Sequence, residues 1–332
     1  MGASELAGDL AVAVTGSRTA PTRVISDRRD ALVVRVDGVV AKAHAVGTSV
    51  DGLRARLALA ADPDLRGVLL APCAAEPLRV AGRPVTTWPV ARPVEAADHD
   101  EAPWTEAGEL LAGLHTAAVP AGAPAARWWD RLAEAVDAMG GLAVDGTAAR
   151  SVRRAYDRLD RAAASHPVLV HGDWHLGQLV RTGDGWRLID VDDLGVGDPA
   201  WDLARPAALF AVGVLPPEVW FRFLDAYARA GGPAVPPGGD PWPAVDAAAR
   251  QGTVLLAARG LATAARAGRE PDDIEWRLVD GCARMVHVPP PAGRMVTSAR
   301  AQESPERRRA DKRSDIGDCP PGDGAGGAGV TT

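Results

Sequence analysis

The sequence predicts an α+β protein with two lobes: a small β-rich lobe over residues 1–95 and a larger, mainly helical lobe over residues 96–288. Three observations lead there. The first part holds short runs of Val, Ile, Leu and Ala broken by turn residues. The second carries apolar residues at helical spacing through several long stretches. The last part, residues 289–332, is Pro, Gly, Arg, Asp and Ser with almost no large apolar side chain. It cannot bury enough surface to offset its ordering entropy and is expected to be a disordered tail.

In order along the chain, Arg23–Ser26, Ala31–Asp37 and Val39–His44 read as strands, with Asp37-Gly38 as a hairpin turn. Val50–Ala61 follows with helical period. Gly67–Ala71 and Arg83–Pro89 read as two more strands, giving a five-stranded sheet with one helix after its third strand. Pro103–Thr116 begins on a proline and continues with helical spacing. Asp145–Ser165 reads as a long helix with a polar face, and Val168–Val170 as a short strand entering a loop. Gln178–Arg181 and Trp186–Val191 form a hairpin across Thr182-Gly183-Asp184-Gly185. Helical patterns resume at Pro199–Leu209, Pro217–Ala230, Trp242–Ala267 and Asp272–Met285.

Composition narrows the function. The 332 residues carry a net charge of −6, so no basic excess points to nucleic acid or to an anionic membrane. Cys73, Cys282 and Cys319 are too widely spaced for a disulfide framework or a zinc pattern. The apolar stretch Pro206–Pro217 is too short to span a bilayer, and Arg259 interrupts the one at Val254–Ala265. No secretory signal is visible, and a cytoplasmic protein is the expectation. Of the 37 Lys and Arg only Lys42 and Lys312 are lysines, and there is no Asn at all. A lysine retained against that bias points to a task a guanidinium cannot do, because an ammonium is a compact point charge and a guanidinium a wide planar fork.

The stretch His171–Ala204, HGDWHLGQLVRTGDGWRLIDVDDLGVGDPAWDLA, carries the chemistry. Phosphoryl transfer from ATP needs a carboxylate that orients the acceptor hydroxyl and takes its proton, and oxygen ligands for magnesium. Asp173 stands at the base position of a kinase-type loop, Gln178 at its amide position, and the hairpin returns Asp190 beside them. Lys42, on the third strand, stands where such enzymes grip the nucleotide phosphates.

With its order and spacings intact, the stretch resembles the aminoglycoside phosphotransferase and choline kinase family. The matching residues are His171-Gly172-Asp173-Trp174-His175, Ile189-Asp190, Asp193, Gly197-Asp198-Pro199 and Asp202-Leu203-Ala204. The family usually has Asn where this chain has Gln178, and the Gln form is similar to bacterial maltokinases. The resemblance implies a protein-kinase-like two-lobe fold, ATP and Mg2+ as cofactors, and a small-molecule hydroxyl acceptor. It implies that Asp173 is the catalytic base, Gln178 and Asp190 are metal ligands, and Lys42 binds phosphate. The nucleotide base is expected at the linker, near Trp88 and Val90. His171, His175, Asp193, Asp198 and Asp202 are expected in support: His171 bonding the backbone near Asp190, Asp198 capping the helix from Pro199, and Asp202 bracing it.

Two family features are thin. The kinase lysine normally pairs with a Glu on the next helix. Here that helix has only Asp51, so Asp51 stands in, Glu76 reaches across, or the pair is absent. The Ser26–Asp30 turn has no glycine. The missing helix Glu and Gln178 make a nucleotide-binding, pseudokinase-like protein without transfer the alternative. A third reading takes His171, Asp173 and His175 as a metal cluster on one strand face. Residues 207–288 hold nine acids and eight arginines, a balance that does not favour a polycationic acceptor. The sequence leaves the oligomeric state and the identity of the acceptor open.

Overall fold

The computed structural model describes residues 2–28, 31–94, 102–142, 144, 146–161, 166–236 and 238–287. The chain begins with helix α1 (Ala3–Thr15), followed by strands β1 (Thr22–Asp27), β2 (Ala31–Val36) and β3 (Val39–His44), helix α2 (Val50–Ala60), and strands β4 (Leu78–Val80) and β5 (Arg83–Pro89). These five strands form one antiparallel sheet in the order β1-β2-β3-β5-β4. Lys42 pairs in register with Val33 on one side and Thr86 on the other, so it sits near the middle of the sheet. The β2–β3 turn is tight enough to hold Asp37 at φ 51°, a conformation Asp tolerates better than most residues.

Helix α1 has no counterpart in the sequence reading. Its Leu6, Ala7, Leu10 and Ala11 are buried against Leu32, Val34, Val36, Val80 and Val85 of the sheet. Each leucine buried this way is worth about 2 kcal/mol. Gly67–Ala71 is a correction: it is not a strand of this sheet. Its apolar run instead meets the later hairpin, with Leu69 bridging Leu188 and the Leu70 N–H donating to the Leu188 carbonyl at 2.9 Å. The fifth strand is Leu78–Val80, too short and too polar to stand out by alternation.

The remainder is mainly helical. After the two-residue strand β6 (Arg92–Pro93) come helices α3 (Trp104–Thr116), α4 (Trp128–Gly140) and α5 (Gly146–Tyr156) and strand β7 (Val168–Val170). Strands β8 (Leu179–Thr182) and β9 (Gly185–Leu188) form the hairpin, and β10 (Gly195–Gly197) pairs with β7. Helices α6 (Ala200–Ala211), α7 (Pro217–Arg229), α8 (Trp242–Arg266) and α9 (Asp273–His287) complete the described chain. Thr182 pairs directly with Gly185, so the hairpin loop is two residues shorter than the spacing suggested. Helix α5 starts at Gly146 and ends at Tyr156; residues 145 and 162–165 of the expected helix lie outside the described residues, as does the tail 289–332.

Two apolar clusters hold this part together. One joins α3 and α7 through Trp104, Leu111, Phe223 and Tyr227; the other joins α4, α5, α8 and α9 through Leu132, Val152, Leu261 and Cys282. Helices α6 and α8 meet where Gly252 faces the Ala204 backbone: a Cβ there would lie 2.5 Å from the Ala204 carbonyl oxygen. Among the described residues no helix is long and apolar enough to cross a membrane.

Candidate active site

The site is built by the connection from β7 into the hairpin and by the turn after β9. Asp202, on the first turn of α6, holds the connection in place. Its Oδ2 accepts from the His171 N–H at 2.6 Å, its Oδ1 from the Gly172 N–H at 2.8 Å, and His115 Nε2 lies 3.0 Å from Oδ2. The Tyr227 hydroxyl meets the other ring nitrogen of His115 at 2.8 Å. A buried carboxylate is costly unless hydrogen-bonded on both oxygens, and here it is. Gly172 has φ 81° and no room for a side chain, since a Cβ would lie 2.6 Å from the Asp193 carbonyl oxygen. Glycine is the residue that meets both demands.

His171 is fully buried and its Nε2 lies 2.7 Å from the Ile189 carbonyl oxygen. That bond fixes the backbone just before Asp190. Asp190 itself adopts φ 63° and ψ 64°, a left-handed conformation that Asp, like Asp37, takes up more readily than most non-glycine residues. Asp198 Oδ1 accepts from the Ala200 N–H at 2.9 Å, at the start of α6.

Lys42 spans from β3 to the turn after β9. Its Nζ lies 2.5 Å from Asp190 Oδ1 and 2.8 Å from Asp192 Oδ2. Burial works against the ammonium, but Asp192 and Asp190 outweigh it and hold the lysine above its ordinary pKa. Burial likewise opposes the Asp192 charge, yet Lys42 and His44 pull its pKa below the carboxylate range. His44 Nδ1 is 3.4 Å from Asp192, its Nε2 is 3.0 Å from Thr86 Oγ1, and that hydroxyl accepts from Trp88 Nε1 at 3.1 Å. A polar chain thus runs from Asp192 to Trp88. Of the open choices for a helix partner, neither acid reaches Lys42: Asp51 and Glu76 are both bound by Arg54, at 2.6 and 2.8 Å.

Gln178 lies beside Asp190 and His175. Its Nε2 is 3.4 Å from Asp190 Oδ2 and 3.2 Å from His175 Nε2. Burial foremost, then the Arg205 charge, pushes the His175 pKa down to about 4, so the ring is neutral. Trp88 is half-buried against the core, and the Val90 N–H is already spent on the Gly38 carbonyl at 3.2 Å.

Asp173 has an environment that the sequence reading missed. Arg131 of α4, Arg205 of α6 and Arg259 of α8 converge on it, at 2.5, 3.7 and 3.3 Å. Arg131 also binds Asp193, the fourth residue of the Asp190–Asp193 turn. Burial alone would raise the Asp173 pKa, but the Arg131, Arg259 and Arg205 guanidinium groups hold it below the ordinary value. One trace of this cluster was readable: Arg259 interrupts the otherwise apolar stretch Val254–Ala265. The strand-face metal cluster does not form, because His171 is turned onto Ile189. Among the described residues no group of three or more His, Cys, Asp or Glu is placed to hold a metal ion.

No curated protein matches the sequence. Solved structures similar in fold include a choline/ethanolamine kinase family protein from Mesorhizobium loti, at 16% identity and TM-score 0.57, covering 87% of this chain and 96% of that one. A thermostable mutant of an aminoglycoside phosphotransferase aligns at 15% identity and TM-score 0.57, covering 84% and 98%. A choline kinase from Cryptosporidium parvum Iowa II aligns at 10% identity and TM-score 0.56, covering 81% and 88%. Their shared architecture is the kinase-like one, an antiparallel sheet followed by a helical part. Residues 25–247 match the model of the phosphotransferase enzyme family, and with two-thirds of its length inside that match the chain belongs to this family.

Proposed function

We propose that the protein is an ATP- and Mg2+-dependent phosphotransferase that transfers the γ-phosphate to a hydroxyl of a small molecule. The observation that carries this reading is the bond between Lys42 and Asp190, residues 148 apart in sequence, beside a loop that presents Asp173 separately. Asp173 orients the acceptor hydroxyl and takes its proton. The acceptor oxygen bonds to the γ-phosphorus as the bond to the β–γ bridging oxygen breaks, and ADP leaves. Lys42 turns from the aspartates to the nucleotide phosphates.

The donor set suits magnesium, a hard cation that prefers oxygen ligands. Asp190 and Asp192 already hold a cation, the Lys42 ammonium, between them. Gln178 fits once its amide is turned over. His175 Nδ1 accepts from the Gly177 N–H at 3.0 Å, so the neutral ring carries its proton on Nε2. That proton calls for the Gln178 oxygen opposite it, beside Asp190. Magnesium held by Asp190, Asp192 and Gln178 would supply positive charge to offset that of the phosphates. At the linker, Trp88 and the Val90 carbonyl are what remain for the nucleotide base. His171, Asp198 and Asp202 act by holding the loop, and Asp193 by holding Arg131.

The test pairs two variants. Asp173→Asn is expected to keep nucleotide binding and lose turnover by ~10²–10⁴-fold. Asp190→Ala is expected to lose the magnesium-dependent part of nucleotide affinity in calorimetry. Full transfer by both variants would sink the assignment. A nucleotide-binding protein without transfer is the second reading, favoured by the three guanidinium groups that lower the basicity of Asp173. Nucleotide binding without transfer to any acceptor in a broad screen would select it.

A further inference from the structure

The arginine cluster at Asp173 is out of balance. Arg131 has a second acid in Asp193, but among the described residues Arg205 and Arg259 have Asp173 as their only ion-pair partner. Burial, followed by the repulsion of Arg259 and Arg131, pushes the Arg205 pKa down to about 10. Clustered, partly buried positive charge is unfavourable unless something compensates it. Both side chains remain within reach of a ligand, Arg205 at 29% and Arg259 at 37% exposure.

A hollow with room for about one water molecule opens beside Arg205. Asp173 and Arg205 form its polar side, and Trp128, Trp174, Trp201 and Leu255 are among its apolar walls. Trp128 and Trp201 stack at 5.9 Å with planes 10° apart, which makes one wall flat and rigid. Among the described residues Trp174 Nε1 and Arg131 Nε are buried donors without an acceptor. Buried donors of this kind are rare and call for a missing acceptor.

Resting on the phosphotransferase reading, we infer that the acceptor is itself an anion: a small hydroxy compound whose carboxylate or phosphate binds Arg205 and Arg259 while its hydroxyl meets Asp173. Guanidinium forks suit both groups, because each offers two oxygens in one plane. The anion also solves a problem for the base. Drawing Arg205 and Arg259 away from Asp173 returns basicity to that carboxylate at the moment the hydroxyl arrives. The nucleotide is a poorer match for these two arginines. They project from α6 and α8, whereas the phosphate-gripping Lys42 and its partners Asp190 and Asp192 lie at β3 and the turn after β9.

The test is calorimetry on the full chain with a non-hydrolysable ATP analogue and magnesium, followed by a transfer assay with ATP. The probes are glycerate, glycerol 3-phosphate, glycerol and choline, which vary the charge on small hydroxy compounds; the two anions separate a carboxylate site from a phosphate site. At least one anion is expected to bind and be phosphorylated, with glycerol and choline weaker by roughly tenfold or more. Arg259→Gln, the more exposed change, and Arg205→Gln are each expected to weaken anion binding by a similar factor and leave the ATP analogue unaffected. Binding of neither anion, or transfer to glycerol or choline but not to the anions, overturns the inference. So does a loss of ATP-analogue affinity in the two variants, which would assign the arginines to the γ-phosphate. Magnesium-dependent binding of the ATP analogue reports on the phosphotransferase reading separately, whatever the anions do.

Discussion

At the Lys42 end of the site two carboxylates share one ammonium; at the Asp173 end three guanidinium groups share one carboxylate. The first end is short of positive charge and the second short of negative charge. The proposed ligands, a metal ion with the nucleotide at one end and an anionic acceptor at the other, would offset these two imbalances. The two ends also differ in origin. The Lys42 end is made by one strand and one tight turn, so its residues are fixed mainly by backbone geometry. The Asp173 end takes its arginines from α4, α6 and α8, so its charge is fixed by helix packing.

The largest effect that sharpens this contrast is expected from Lys42→Arg. The charge is kept but the compact ammonium is lost, and kcat/KM should fall by ~10²-fold or more. Steady-state kinetics at saturating magnesium measures it; near-normal activity would mean that only the sign of the charge matters there. Asp202→Asn comes next. It weakens the anchor of the His171–Gly172 backbone and is expected to cost about 2–3 kcal/mol, read from urea denaturation.

Arg131→Gln probes the other end. Removing the nearest guanidinium raises the Asp173 pKa, so the acidic limb of the kcat/KM profile should move to higher pH. The sign carries over to stability. A carboxyl with a depressed pKa contributes stability above the ordinary carboxylate range and loses it as the pH falls through the folded value. The variant should therefore show less acid-dependent loss of stability than the parent. An unmoved profile would separate Asp173 from the rate. The smallest effect is expected from Glu76→Gln. Its carboxylate is engaged by exposed Arg54, so neither melting nor turnover should change; a large loss of turnover would revive Glu76 as an acid partner of Lys42.

These contrasts explain what the sequence made legible. His171 through Asp202 was readable because a short loop, a hairpin and a turn return the chain to itself at fixed spacing. Lys42 stood out because the chain almost never uses lysine. Arg131, Arg205 and Arg259 left no spacing signal, since three separate helices deliver them and arginine is common throughout. Helix α1 went unread because Gly8 interrupts it and Val12, Val14 and Thr15 near its end suit a strand as well as a helix. The run Gly67–Ala71 misled for a related reason: an unbroken apolar stretch does not say whether it joins a sheet or plugs a junction.

The partners of Lys42 have a consequence for control. In many kinases the lysine is set by an acid on the neighbouring helix, and swinging that helix turns the enzyme on or off. Here both candidate acids are occupied at the surface by Arg54, and the lysine is tethered across the cleft. Moving α2 would therefore release no catalytic bond. On the proposed function, what would draw the ammonium off its aspartates is the arrival of a metal and phosphates, and the throttle on such an enzyme would be the supply of its own ligands.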